Sequence, residues 1–117
     1  MPRLLTLLVA CVCSALAFAQ AYPNKPLKIV VGYPPGGSGD FLTRLAADEL
    51  QKDLGVAVVV ENKPGAGGNI AHEFVARSPN DGYTILNATH MAINRALYKA
   101  LSYDPDKDFA PIGRIAW

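Results

Sequence analysis

The stretch that most constrains the fold is Gly32-Tyr33-Pro34-Pro35-Gly36-Gly37-Ser38-Gly39-Asp40. It follows a short apolar, β-branched run, Leu27–Val31, which reads as a buried strand. After it, apolar residues recur at helical spacing over 41–50. Strand, glycine turn and helix in that order aim backbone N–H groups and a helix N-terminus at an anion. Two prolines stiffen the approach, and the glycines let the main chain come close to a ligand. The stretch therefore points to a pocket for a small carboxylate, built largely from backbone.

The same pattern recurs along the chain. The first helix should start near Asp40, whose carboxylate can accept N–H bonds at the N-cap. Leu42, Leu45, Ala46, Leu50 and Leu54 form one apolar stripe, opposite Arg44, Asp48, Gln51 and Lys52. Gly55 sits where a left-handed residue would end that helix. Val56–Glu61 is a second strand, and its unbroken apolar run favours a parallel sheet covered on both faces. Asn62–Asn69 is a second glycine turn, and Ile70–Arg77 a second helix with Ile70, Phe74 and Val75 facing inward. Ser78–Gly82 is a turn, Tyr83–Asn87 a third strand, and Asn87–His90 another strand-end loop. A helix near Ile93–Leu101 and a polar connector, Tyr103–Asp108, lead into a last strand beginning near Phe109. This β-α-β-α-β-α-β order predicts an α/β domain with right-handed crossovers. Ligands of such sheets bind beyond the carboxyl ends of the strands, where residues 36–40, 65–69 and 87–90 should converge.

The start of the chain reads as an export leader. Arg3 supplies a positive n-region, Leu4–Phe18 is apolar, and Ala17-Phe18-Ala19 fits a small-x-small cleavage site. About 15 apolar residues are short for a membrane span, which needs roughly 20. The expectation is a cleaved signal peptide over 1–19 and a periplasmic protein. The alternative is lipid anchoring at Cys11, within the lipobox-like Leu8-Val9-Ala10-Cys11. Both cysteines, Cys11 and Cys13, lie in this leader, so the mature chain holds no disulfide framework or cysteine metal site. Removing 19 of the 117 residues leaves 98, enough for one small core. A net charge of +1 gives no reason to propose nucleic acid.

Enzyme signatures fail one residue at a time. Gly32–Gly37 has the spacing of a phosphate-binding loop, but Ser38 stands where its lysine belongs. Gly65 and Gly67 open a dinucleotide fingerprint that Ile70 breaks. A hydrolase elbow around Ser38 would need glycine at Asp40. His72-Glu73 begins a zinc motif that Ala76 ends. No catalytic residue, metal ligand or cofactor is implied. Any one glycine is equally a plain βα turn, and Asp40 an N-cap, a ligand contact or both. His72 reads as a solvated side chain on a helix surface, Tyr33 as pocket wall, and His90 as a strand-end residue placed to touch ligand. The argument for a site rests on two glycine loops at equivalent places.

Four segments resemble the Bug-type extracytoplasmic solute receptors of tripartite tricarboxylate transporters. They are Tyr-Pro-Pro-Gly-Gly-Ser-Gly-Asp at 33–40, Glu-Asn-Lys-Pro-Gly-Ala-Gly-Gly-Asn-Ile at 61–70, Asp-Gly-Tyr-Thr-Ile-Leu at 81–86 and Tyr-Asp-Pro-Asp-Lys-Asp-Phe-Ala-Pro-Ile at 103–112. The resemblance implies a type II periplasmic-binding-protein fold of two domains that close on a small carboxylate or related solute. It implies delivery to membrane permease subunits; the rival readings are a solute-sensing partner of a signalling system and an α/β enzyme. It also implies ligand contacts at Gly36, Gly37, Ser38 and Asp40, at Ala66, Gly67, Gly68 and Asn69, and at Thr89 and His90. The chain departs from the pattern at Ala71, where glycine is common, and at Arg95, where proline is common. On this plan residues 20–103 are an incomplete N-terminal ligand-binding domain. Residues 104–117 are then a crossover strand into a second domain, and the chain is an N-terminal fragment.

Overall fold

The computed structural model describes residues 22–115. The expected leader over 1–19, the lipidation alternative at Cys11 and the last two residues of the expected final strand lie outside the described residues. Three strands, β1 (Leu27–Val31), β2 (Val58–Asn62) and β3 (Thr84–Asn87), form a parallel sheet in the order β2-β1-β3. Helix α1 (Ser38–Leu54) joins β1 to β2. A 3-10 turn (Ala66–Gly68) and α2 (Asn69–Ala76) join β2 to β3, and α3 (Met91–Leu97) follows. Leu27, Ile29, Val30 and Val31 are all buried although alternate side chains point to opposite faces, so β1 is covered on both sides. Helix α1 lies over β1 and β2, and α2 over β1 and β3. The expected α/β class with a parallel sheet is the observed one.

Several local expectations need correction. Strand β2 is half-buried with Val59 exposed, because it forms an edge of the described sheet. On α1 the buried line is Asp40, Thr43 and Ala47, whereas Leu42, Leu45 and Leu54 are exposed. Polar anchors turn the helix: Asn62 Nδ2 donates to Asp40, and Asn87 Nδ2 donates to Thr43 Oγ1. Gly55 ends α1 as expected, at φ 68° with its N–H on the Gln51 carbonyl. On α2, Ala71 and His72 are buried, while Ile70 is 50 % and Phe74 37 % exposed. The cause is a close approach. A Cβ on Gly32 would lie 2.8 Å from Gly68 Cα and 3.5 Å from Ala71 Cβ, so α2 starts hard against the end of β1. Helix α3 stops at Leu97, since Tyr98 takes an extended backbone.

Residues 104–108 form a turn in which Lys107 and Asp108 donate N–H bonds to the Asp104 carbonyl. The expected final strand is not formed among the described residues. A strand exists as a paired ladder, and residues 109–115 pair with no strand there.

Candidate functional site

The order β2-β1-β3 places a topological switch point between β1 and β3, since the chain moves to one side of β1 and then to the other. Crevices at such points, beyond the strands' carboxyl ends, are where open α/β sheets bind ligands. The three predicted loops leave those ends and touch one another. Gly32 backs onto Gly68, which joins the first loop to the second. Tyr33 Oη and His90 Nδ1 form a short hydrogen bond across the switch point, which joins the first to the third. Asn94 Nδ2 on α3 donates to the Gly67 carbonyl at 2.9 Å and to Asn69 Oδ1 at 2.8 Å, which closes the ring. Tyr33 is thus a hydrogen-bonding partner and not only pocket wall.

In the first loop Gly36, Gly37 and Ser38 are exposed, and Gly37 is the N-cap of α1. Gly37 brings no capping side chain, so the first-turn N–H groups of Ser38, Gly39 and Asp40 have no acceptor within the helix. Asp40 is not the N-cap. It is the third helical residue, 4 % exposed, with both carboxylate oxygens engaged inside the protein. Oδ2 accepts the Gly36 N–H at 3.0 Å and Arg44 Nε at 2.9 Å, and Oδ1 accepts Asn62 Nδ2 at 2.8 Å. Arg44, then the Gly36 N–H, then Asn62 hold the Asp40 carboxyl well below the ordinary range. Asn62 Nδ2 also donates to the Tyr33 carbonyl at 3.0 Å, and its Oδ1 accepts Arg44 Nη2 at 2.9 Å.

The second loop has positive φ at four successive residues: Gly65 at 130°, Ala66 at 49°, Gly67 at 63° and Gly68 at 90°. Only glycine adopts most of that run without strain. Gly68 and Asn69 turn their N–H groups inward, onto the Gly65 and Ala66 carbonyls. Ala66 and Gly67 are then the central residues of the turn, and both are exposed. Asn69 Oδ1 faces the interior, where it accepts Tyr103 Oη at 2.7 Å as well as Asn94. Beneath it His72, expected at the surface, is 2 % exposed, with Nδ1 2.8 Å from Tyr103 Oη. Burial, with a smaller push from the His90 side, keeps the His72 imidazole below its ordinary value and so neutral. Burial raises the Tyr103 phenol.

In the third loop Thr89 and His90 are exposed, and Thr89 makes only a marginal 3.5 Å contact with Asn87 Oδ1. The structure therefore brings all ten predicted residues to one end of the sheet. It turns the side chains of Asp40 and Asn69 inward, buries Gly68 against Gly32, and leaves the other seven at the surface. Sequence reasoning missed Asn62, Arg44, Asn94 and Tyr103. For Asn62 a signal existed, a carboxamide closing a strand that opens with three valines. Two surface clefts of about 500 and 520 Å3 lie along 95–108 and 70–79, and neither is lined by a residue of the three loops. Among the described residues no three His, Cys, Asp or Glu side chains gather to hold a metal.

Comparison with known proteins adds three kinds of match. Residues 42–117 match the family described as tripartite tricarboxylate transporter family receptor. A UPF0065 protein of Bordetella bronchiseptica is 42 % identical over 118 residues, covering 96 % of this chain and 35 % of its own length. Among solved structures, the periplasmic binding protein BugD superposes with a TM-score of 0.75 at 43 % identity, over 79 % of this chain and 31 % of that one. MatC from Rhodopseudomonas palustris, with bound malate, gives 0.70 at 40 % identity, over 77 % and 31 %. The chain spans about a third of the length of the curated relatives it matches.

Proposed function

The chain belongs to the tripartite tricarboxylate transporter receptor family, and from that premise we propose that it captures a small carboxylate at the three-loop crevice without transforming it. The observation that carries this reading is the ring of loops at the switch point, with the start of α1 at Gly37–Ser38 and the turn at Ala66–Gly67 both exposed. Backbone donors of that kind recognise one carboxylate through charge-assisted hydrogen bonds. Gly37, Ser38, Ala66 and Gly67 would supply main-chain contacts, with Gly36 and Gly68 giving close approach. Thr89 and His90 would bound the third side. The bound malate of MatC is consistent with a dicarboxylate ligand.

The wider reading extends the same logic. The leader would export the protein to the periplasm, a second domain would close over the solute, and the loaded receptor would dock on membrane permease subunits. The test is a thermal-shift screen of the full chain with mono-, di- and tricarboxylates, amino acids, nicotinate and ATP. One carboxylate class should raise the melting temperature, since ligand at 100 times Kd adds about 2.7 kcal/mol. Gly67→Val should abolish that shift. A shift with ATP alone, or turnover of a bound acid, would overturn the reading.

A further inference from the structure

We infer that Asp40, Arg44 and Asn62 form a charge-balanced anchor beneath the first loop, which fixes its backbone and makes it electrically fit to receive an anion. The inference rests on the reading of the loops as a carboxylate site and adds positioning residues that touch no ligand. A carboxylate under an anion pocket is a liability, because like charges repel across a low-dielectric wall. Yet Asp40 is 4 % exposed, and its Oδ2 holds the Gly36 N–H at 3.0 Å. That bond uses up the Gly36 donor and fixes the turn just before the N–H groups that open α1. Arg44, one helical turn on, places Nε 2.9 Å from the same oxygen and cancels its charge.

Asn62 completes the device from the neighbouring strand. Its amide donates both to Asp40 Oδ1 and to the Tyr33 carbonyl, and its Oδ1 accepts Arg44 Nη2. Tyr33 is thereby tied to the end of β2 directly, and Gly36 is tied to it through Asp40. The anchor has no net charge, since one carboxylate meets one guanidinium. Half of the Arg44 side chain stays exposed, at 48 %, so its charge remains coupled to solvent and to whatever occupies the crevice. Removing Arg44 alone leaves a buried negative charge under the loop. Removing both charges leaves two amides able to hydrogen-bond each other and the Gly36 N–H.

The test measures Kd for malate and citrate in the full chain by calorimetry, for wild type, Arg44→Gln and the double variant Asp40→Asn/Arg44→Gln. Arg44→Gln should weaken binding by about tenfold or more, and adding Asp40→Asn should recover most of that loss. A purely structural role would make the double variant worse. Arg44→Gln within about twofold of wild type, or a double variant no better than the single, would overturn the anchor. Should Arg44→Gln fail to fold, the double variant is compared with wild type directly. Binding within about threefold then supports the neutral pair, and a loss beyond about tenfold refutes it. If wild type binds neither acid nor any other carboxylate, the receptor reading falls by itself. The anchor is then judged on hydrogen exchange of the Gly36 amide, which should quicken by about tenfold or more in Asp40→Ala. An unchanged rate would dismiss it.

Discussion

The turn after β1 is pinned by ions, whereas the turn after β2 is pinned by neutral groups shut away from water. In the first, the buried Asp40 carboxylate meets the half-exposed Arg44 guanidinium at 2.9 Å. In the second, His72, Tyr103, Asn69 and Asn94 pass hydrogen bonds from one to the next, and His72 and Asn94 are each 2 % exposed. The difference follows from solvent. Where a guanidinium keeps contact with water a charge is tolerated, and in the dry layer under the second loop each group must be neutral and partnered. Among the described residues no buried side-chain nitrogen or oxygen lacks a partner. The pair teaches that two loops shaping one crevice need not share one sensitivity to their surroundings.

The strongest way to break this comparison is to empty the neutral side. Asn94→Leu removes the donor that serves both the Gly67 carbonyl and Asn69 Oδ1. Two partly buried acceptors lose this donor, and Asn69 Oδ1 keeps Tyr103 Oη, so unfolding free energy in a urea titration should fall by about 2 kcal/mol. A loss below about 1 kcal/mol would mean that the second loop holds its shape by glycine geometry alone.

A smaller effect separates the two sides by acidity. His72 is held neutral in the fold, below its ordinary 6.5. As pH falls through that ordinary value the unfolded chain takes up a proton that the folded chain refuses, so stability present above it is lost. Asp40 is depressed from 3.8, so its contribution persists until pH drops below about 4 and is lost beyond that. Melting temperatures against pH should therefore decline in two stages, and His72→Gln should abolish only the first. A single decline near pH 4 in wild type would contradict the neutral assignment of His72.

The smallest effect is ionic strength. Raising salt from about 0.05 to about 1 M shrinks the screening length from roughly 14 to 3 Å. Exchange of the Gly36 amide should quicken a few-fold, and that of Gly68 should not change. Equal responses would erase the distinction between the loops.

Much of this architecture was legible in the chain. Leu27–Val31 is the strand that its β-branched run announces, and Gly55 ends α1 in the left-handed conformation its position suggests. The two glycine turns fall where strand and helix periodicities change. Helix orientation was not legible, because periodicity reports that a helix has an apolar face and not which neighbour claims it. On α1 the hydrogen bonds of Asp40 and Thr43 override the leucine stripe, leaving Leu45 53 % exposed. His72 was misplaced for a related reason. Its partner Tyr103 lies 31 residues away, and no local pattern signals a polar pair that meets only in three dimensions. Ala71, a departure from the usual glycine, proves to be where α2 presses on the end of β1.

The strand order has a further consequence, in time instead of space. β1 pairs with β2 through Leu27 and Val58, 31 positions apart, and with β3 through Lys28 and Thr84, 56 positions apart. Neither ladder can form from neighbouring residues, so each must await a closure of the chain. The longer closure costs only about 0.5 kcal/mol more than the shorter in chain entropy. A growing chain nonetheless presents β2 to β1 well before β3 exists. The crevice where Tyr33 meets His90 belongs to the later ladder, so the chain can be half assembled, with β1 and β2 zipped, before that crevice exists.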